Sequence, residues 1–237
     1  MKFNQGDFSG LKTYQLKGKE VYVTDRHQYT LPVWTAYSND RNTSYTLVSI
    51  DFHPDTNPPF WQEITLKMSM DNREDDQGYF QELLENRINR LDRYDIEAIV
   101  SCVDRLNNDE HINTAMSLGV LKDYHMINCM DRHQYETGRH YLLEEAYYGL
   151  LEDSMFKSIG FELPEKPFIL DIDLDYFMRL SDFEIEADTI FKALVQGADL
   201  ITVARSVKYF EYLKKEEFSI EECEARLIDL LKYYLGS

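Results

Sequence analysis

The chain has 237 residues, 43 of them Asp or Glu against 25 Lys or Arg, giving a formal net charge of -18. That balance excludes a nucleic-acid binder, because affinity for a phosphate backbone comes from displacing counterions with cationic side chains. A hydrophobic fraction of 43 %, with 17 Tyr and 13 Phe, excludes a disordered chain, and the length predicts a single domain over 1–237. Cys102, Cys129 and Cys223 form no CxxC pair, so buried reduced thiols are expected rather than a disulfide framework or zinc knuckle. No apolar stretch approaches the roughly 20 residues that span a bilayer, and Met1–Asp7 has no apolar leader segment. These features predict a cytoplasmic protein with no membrane role; they leave its oligomeric state open.

In chain order, Val21-Tyr22-Val23-Thr24 is an apolar run leading into Asp25-Arg26-His27, and Thr46–Ile50 is a β-branched strand leading into Asp51. The acidic stretch Asp71–Asp76 reads as a solvated turn before a helix whose stripe is Phe80, Leu84, Ile88 and Leu91. Ile96–Val103 is predicted as a strand, followed by His111 at a helix start, then a strand over Tyr124–Cys129. Leu143, Ala146, Tyr147, Leu150 and Leu151 suggest a second helical stripe. Strands follow over Phe168–Ile172 and Leu200–Ala204, and a last helix starts at the Ser219/Glu222 capping box and stops at Gly236. Alternating strands and helices predict an α/β three-layer sandwich with a mainly parallel sheet, whose functional residues should lie just past the strand ends.

Two strand ends carry chemistry. Ser49-Ile50-Asp51-Phe52-His53-Pro54-Asp55 runs an apolar strand into D-x-H-x-D, and alternate residues of an extended chain share a face. Two carboxylates and an imidazole converging on one point suit manganese, iron or zinc. In Leu170-Asp171-Ile172-Asp173-Leu174-Asp175 the apolar residues would face one side and the three Asp the other, with neighbouring carboxylates about 7 Å apart. Like charges stacked at the end of a buried strand are costly unless a cation neutralises them or one takes a proton.

D-x-H-x-D on one strand and D-x-D on a later one resembles the signature of the ureohydrolases, which include arginases and agmatinases and are distantly related to the histone deacetylases. Ile-Asp-Phe-His-Pro-Asp, Glu-His-Ile-Asn-Thr-Ala-Met, Leu-Asp-Ile-Asp-Leu-Asp-Tyr-Phe and Ile-Thr-Val-Ala-Arg-Ser are more similar still to the small arginase-like family that contains the peptide arginases. The resemblance covers roughly residues 20 to 210. It implies an arginase/deacetylase-like fold, two Mn2+ per chain, and conversion of arginine residues in a ribosomally made precursor peptide to ornithine with release of urea. Asp51 and Asp171 would bridge the two ions, His53 and Asp173 would complete one, and Asp55 with His27 the other. Asp175, one residue earlier than the third Asp of the arginase pattern, would orient a ligand.

Paired divalent ions lower the pKa of water towards about 7, supplying a nucleophile for the guanidinium carbon. The departing amine then needs a proton, for which His111 is the predicted donor, with His133 in reserve. His133 belongs to a repeated pentapeptide: Asp25-Arg26-His27-Gln28-Tyr29 recurs as Asp131-Arg132-His133-Gln134-Tyr135. Arginases grip the guanidinium with a glutamate at the last strand end, where this chain has Arg205; Asp25, Asp131 and Glu110 are the acids expected for that role. Arg205 would bind a peptide carboxylate or pair with a ligand Asp. Other classes remain compatible: a metal hydrolase of a small guanidino substrate, a deacylase, a phosphatase with Asp171 at the end of its nucleophile strand, or an idle binding protein on the same fold.

Overall fold

The structure is a computed structural model and describes residues 3, 6–8, 10–130, 138–185 and 187–236. It begins with a hairpin: Lys12–Leu16 (β1) pairs antiparallel with Lys19–Thr24 (β2) across Lys17-Gly18, where both residues have the positive φ that a tight hairpin turn demands. Thr30–Arg41 (α1), Tyr45–Ile50 (β3), Trp61–Met70 (α2), Gln77–Ile88 (α3), Ile96–Val103 (α4), His111–Ser117 (α5) and Leu121–Asn128 (β4) follow. Next come Arg139–Leu142 (β5), Asp153–Ser158 (α6), Phe168–Asp173 (β6), Thr189–Gly197 (α7), Leu200–Ala204 (β7), Val207–Leu213 (α8) and Ile220–Gly236 (α9).

All seven described strands join one sheet in the order β1-β2-β7-β6-β3-β4-β5, parallel except for β1. One face packs Leu31, Trp34, Ile64, Leu84, Ile99 and Ile112 of α1 to α5; the other packs Phe156, Phe191, Leu194, Phe210, Leu227 and Leu231 of α6 to α9. The fold is therefore α/β, with helices on both faces of a mainly parallel sheet. From β3 the chain crosses outward to β4 over the first face, whereas from β6 it crosses the opposite way to β7 over the second. Connections that part in opposite directions leave a crevice at the carboxyl ends of β3 and β6, which is where α/β sheets place their sites.

Two predicted elements are corrected. Ile96–Val103 is helix α4, not a strand: the Asp95 side chain accepts the Ala98 amide at 3.0 Å as an N-cap, and Ile99, Cys102 and Val103 are buried along one helical face. The Leu143–Leu151 stripe is not one helix, because β5 runs into a 3₁₀ turn at Glu145–Tyr147 and then reverses at Gly149. Gly149 has φ +82, and a Cβ there would lie 2.4 Å from Asp182 Oδ2, so neither the conformation nor the space admits a helix-forming side chain. The capping box holds: the Ser219 amide donates to Glu222 at 2.8 Å and the Glu222 amide to Ser219 at 3.2 Å. All three cysteines are free and buried. No described helix is long and apolar enough to cross a membrane.

Candidate metal centre

Five carboxylates and two imidazoles meet at the crevice. His27 sits in a 3₁₀ turn directly after β2, Asp51 follows β3, Asp171 and Asp173 belong to β6, and Asp175 lies in the turn Leu174–Tyr176. Asp51, His53 and Asp55 lie at one strand end but do not converge on one point: β3 ends at Ile50, Asp55 turns back at φ +41 to face His27, His53 faces Asp175, and only Asp51 is shared. A non-glycine residue in that region is held there by its surroundings, as is Ser206 at φ +40 on the opposite wall.

His27 is the centre of one group. Its Nδ1 is 2.8 Å from Asp55 Oδ2 and 3.2 Å from both Asp51 Oδ2 and Asp173 Oδ2, yet none of these contacts has hydrogen-bond geometry. Its Nε2 is 2.6 Å from Asp171 Oδ2. The second group forms around His53, whose Nδ1 is 2.9 Å from Asp175 Oδ2 and 3.7 Å from Asp51 Oδ1. Asp51 thus turns one oxygen to each histidine. Its Oδ2 is buried without a hydrogen bond, while Oδ1 accepts the His53 amide at 2.8 Å.

Electrostatics express the same crowding. Burial raises the pKa of Asp55, Asp173 and Asp175, and neighbouring carboxylates raise it further, Asp51 foremost for Asp55 and Asp173, and Asp173 for Asp175. Burial opposes charging both histidines, but the surrounding acids prevail: His27 lies well above an ordinary imidazole and His53 rises to about 11. Burial would also raise Asp51, yet its two histidine neighbours hold it below the usual carboxylate range. Without cations the group balances its charge with protons. A divalent cation fits the donor set on three counts: an oxygen-rich site with imidazole, orphaned buried ligand atoms, and spacings near the ~3 Å edge of an octahedron with ~2.1 Å bonds.

Of the remaining predicted residues, Asp25 and Arg205 line the cleft that opens over the acids, whereas His111 and Glu110 do not. His111 is fully buried against His27 and Trp34, with ring centroids 4.4 and 5.3 Å away, and does not line the cleft that opens over the acids. Its Nδ1–H donates to the Asn108 carbonyl at 2.6 Å, leaving Nε2 buried and unpaired; burial first, and the charge of His27 second, hold it neutral. His111 therefore cannot hand a proton to a substrate in the cleft, although with His27 and Asp171 it forms a third group able to hold an ion. Glu110 also faces away, accepting the Gln62 amide at 3.0 Å and the Asn107 amide at 3.2 Å, so its carboxylate ties the starts of α2 and α5 together. Arg205 pairs with Asp25 at 3.0 Å, with Glu221, and with Glu224 at 3.2 Å, not with a candidate ligand. That pairing engages Asp25 through Oδ1. Asp131 and His133 lie outside the described residues.

The cleft has a volume of about 880 Å3 and is lined by His53, Asp55, Asp173 and Asp175 on its floor, with Asp109, Arg26, Met130, Ser206 and Tyr209 around it. Asp109 was not singled out by its sequence context. Its Oδ2 accepts Asn57 Nδ2 at 2.7 Å, and its Oδ1 is buried without a hydrogen-bond partner. Tyr209 packs 4.9 Å from the His53 ring, and the Ser206 hydroxyl donates to Asp173 at 2.5 Å. The signal for Ser206 was its place two residues past β7, at the same edge as the other strand ends. No family model matches the chain and no curated protein matches it, so its function rests on the chemistry of these side chains.

Proposed function

We propose that this chain is a two-metal hydrolase of the arginase-like type, with manganese as the physiological ion, that converts arginine residues of a peptide to ornithine and releases urea. The observation that carries this reading is Asp51, which offers one oxygen to each of two histidine–carboxylate groups beneath an open cleft. One ion would be held by His27, Asp51, Asp55 and Asp173, the other by His53, Asp51 and Asp175. When bound, the ions would supply Lewis acidity and a water of lowered pKa.

The protein's own side chains do the rest. Ser206 and the Asp175 amide hold the two oxygens of Asp173, by hydrogen bonds of 2.5 and 3.1 Å, and so fix its orientation toward His27. Asp109 and Asp25 are the acids in the cleft wall that could accept a guanidinium, each already sharing one oxygen, Asp109 with Asn57 and Asp25 with Arg205, whereas Glu110 is engaged outside the cleft. At about 880 Å3 the cleft is at the upper end of small-molecule sites, and the exposed Met130, Val207 and Tyr209 on its rim suit the chain flanking a peptidyl arginine better than free arginine. Full burial of Asp171 counts against a phosphatase nucleophile there. The test is mass spectrometry of arginine peptides incubated with manganese-loaded protein: guanidinium hydrolysis removes about 42 Da per arginine by formula. No such loss from peptides, free arginine or agmatine would refute the hydrolase.

A further inference from the structure

Asp171 has surroundings unlike those of the other four carboxylates. It lies within β6, in register with Ser49 of β3 and Thr202 of β7, so three polar side chains form a row across the sheet one step below the crevice. Both its oxygens are occupied. Oδ1 accepts the Thr202 hydroxyl at 2.5 Å, and Oδ2 accepts the Ser49 hydroxyl at 3.2 Å and faces His27 Nε2 at 2.6 Å. The Thr202 proton is committed to this bond, because Trp34 Nε1–H donates to the same hydroxyl oxygen at 3.0 Å.

We infer that Asp171 is a positioning residue of the centre rather than a ligand: it anchors Nε2–H of His27 and thereby presents Nδ1 to the ions. This rests on the two-metal reading above. An imidazole that donates from one nitrogen keeps its lone pair on the other, and Nδ1 is the nitrogen that faces Asp51, Asp55 and Asp173. The chain Trp34–Thr202–Asp171–His27 is buried throughout, so the ring is aimed by the sheet and α1 together. Asp175 takes the opposite part: it borders the cleft, its Oδ2 faces His53, and that oxygen has no hydrogen-bond donor of its own. The ligand pair at this strand end is therefore Asp173 and Asp175, two residues further along than the pair that the sequence suggests.

The experiment measures manganese stoichiometry and affinity by calorimetry, with electron paramagnetic resonance of the bound ions, on the full-length wild type, D171N, D175N and Thr202→Val. D171N should keep two ions and their exchange-coupled spectrum while binding them about 10- to 100-fold more weakly, the usual effect of removing a partner that orients a metal-bound histidine. D175N should lose one ion and the coupling. A folded D171N that loses an ion, or a D175N that keeps both, overturns the assignment and favours the His27–His111–Asp171 group as a site. Should D171N fail to fold, Thr202→Val decides: weaker affinity at unchanged stoichiometry supports the inference, and unchanged affinity overturns it. A wild type that takes up no manganese overturns the two-metal reading itself, and this inference with it.

Discussion

Replacing Arg205 by Ala should destabilise the protein by about 2–3 kcal/mol, whatever it does to catalysis. The guanidinium is 12 % exposed and lies among Asp25, Glu221 and Glu224, whose side chains are 37 %, 68 % and 4 % exposed. Deleting one partner of a buried pair costs about 3–5 kcal/mol, because it leaves an uncompensated buried charge. Here that penalty falls on Glu224 alone and is softened, since Lys12 stays 2.7 Å and the Tyr14 hydroxyl 2.7 Å from its carboxylate. The pairs with Asp25 and Glu221 are open to water and contribute about 0.2–1 kcal/mol each. For a chain of this size the loss corresponds to a drop in Tm of about 4–12 °C. Calorimetry and urea unfolding of chelator-treated protein would measure it free of metal linkage, with Glu221→Ala, expected to shift stability by under about 0.5 kcal/mol, as the control. An Arg205→Ala protein as stable as wild type but weakened in peptide binding would refute the argument and return Arg205 to the substrate role.

Glu110→Ala strands the Gln62 and Asn107 amides and should cost about 2–4 kcal/mol in urea unfolding at unchanged metal stoichiometry; lost turnover without lost stability would restore a catalytic role. Manganese at a hundred times its Kd should stabilise the fold by about 2.7 kcal/mol per ion, about 5.4 kcal/mol for two, raising Tm by about 11–22 °C, and a chelator should reverse this. Since His27, His53, Asp55, Asp173 and Asp175 all hold protons more tightly than usual in the metal-free protein, ions must displace those protons on binding. Affinity should therefore fall from about pH 8 to about pH 6, with proton release visible by calorimetry in buffers of different ionisation enthalpy; a pH-independent affinity would contradict it. Asp109→Asn removes a charge-assisted contact and should weaken binding of an arginine peptide about 10- to 150-fold while leaving its citrulline counterpart unaffected. Equal affinity of the wild type for the two peptides would discount Asp109.

Local pattern and fold agree where one segment's character decides the outcome. Thr46–Ile50, Phe168–Ile172 and Leu200–Ala204 are too short and too β-branched to be anything but buried strands, and the Ser219/Glu222 box starts α9 by its own hydrogen bonds. They part at Ile96–Val103, where an apolar octet suits a strand or a buried helix equally; α1, against which α4 packs, decides it, with Asp95 as the cap.

The same division runs through the candidate site. That Asp51, His53, Asp55, Asp171, Asp173 and Asp175 form an unusual group follows from the sequence by itself, because charge at the end of an apolar strand is expensive wherever the strand lies. Which of these acids faces the crevice was decided by tertiary structure. Asp171, Asp173 and Asp175 are alike in sequence, but the first is sealed within the sheet between Ser49 and Thr202 of the flanking strands, while the last two border the crevice. His111 and Glu110 likewise keep their chemistry but lie outside the cleft, held by Asn108, Gln62 and Asn107, while Arg205 lines it with its guanidinium already shared with Glu224. A side chain's capacity to donate or accept is local; what remains of that capacity for a substrate is set by neighbours distant in the chain.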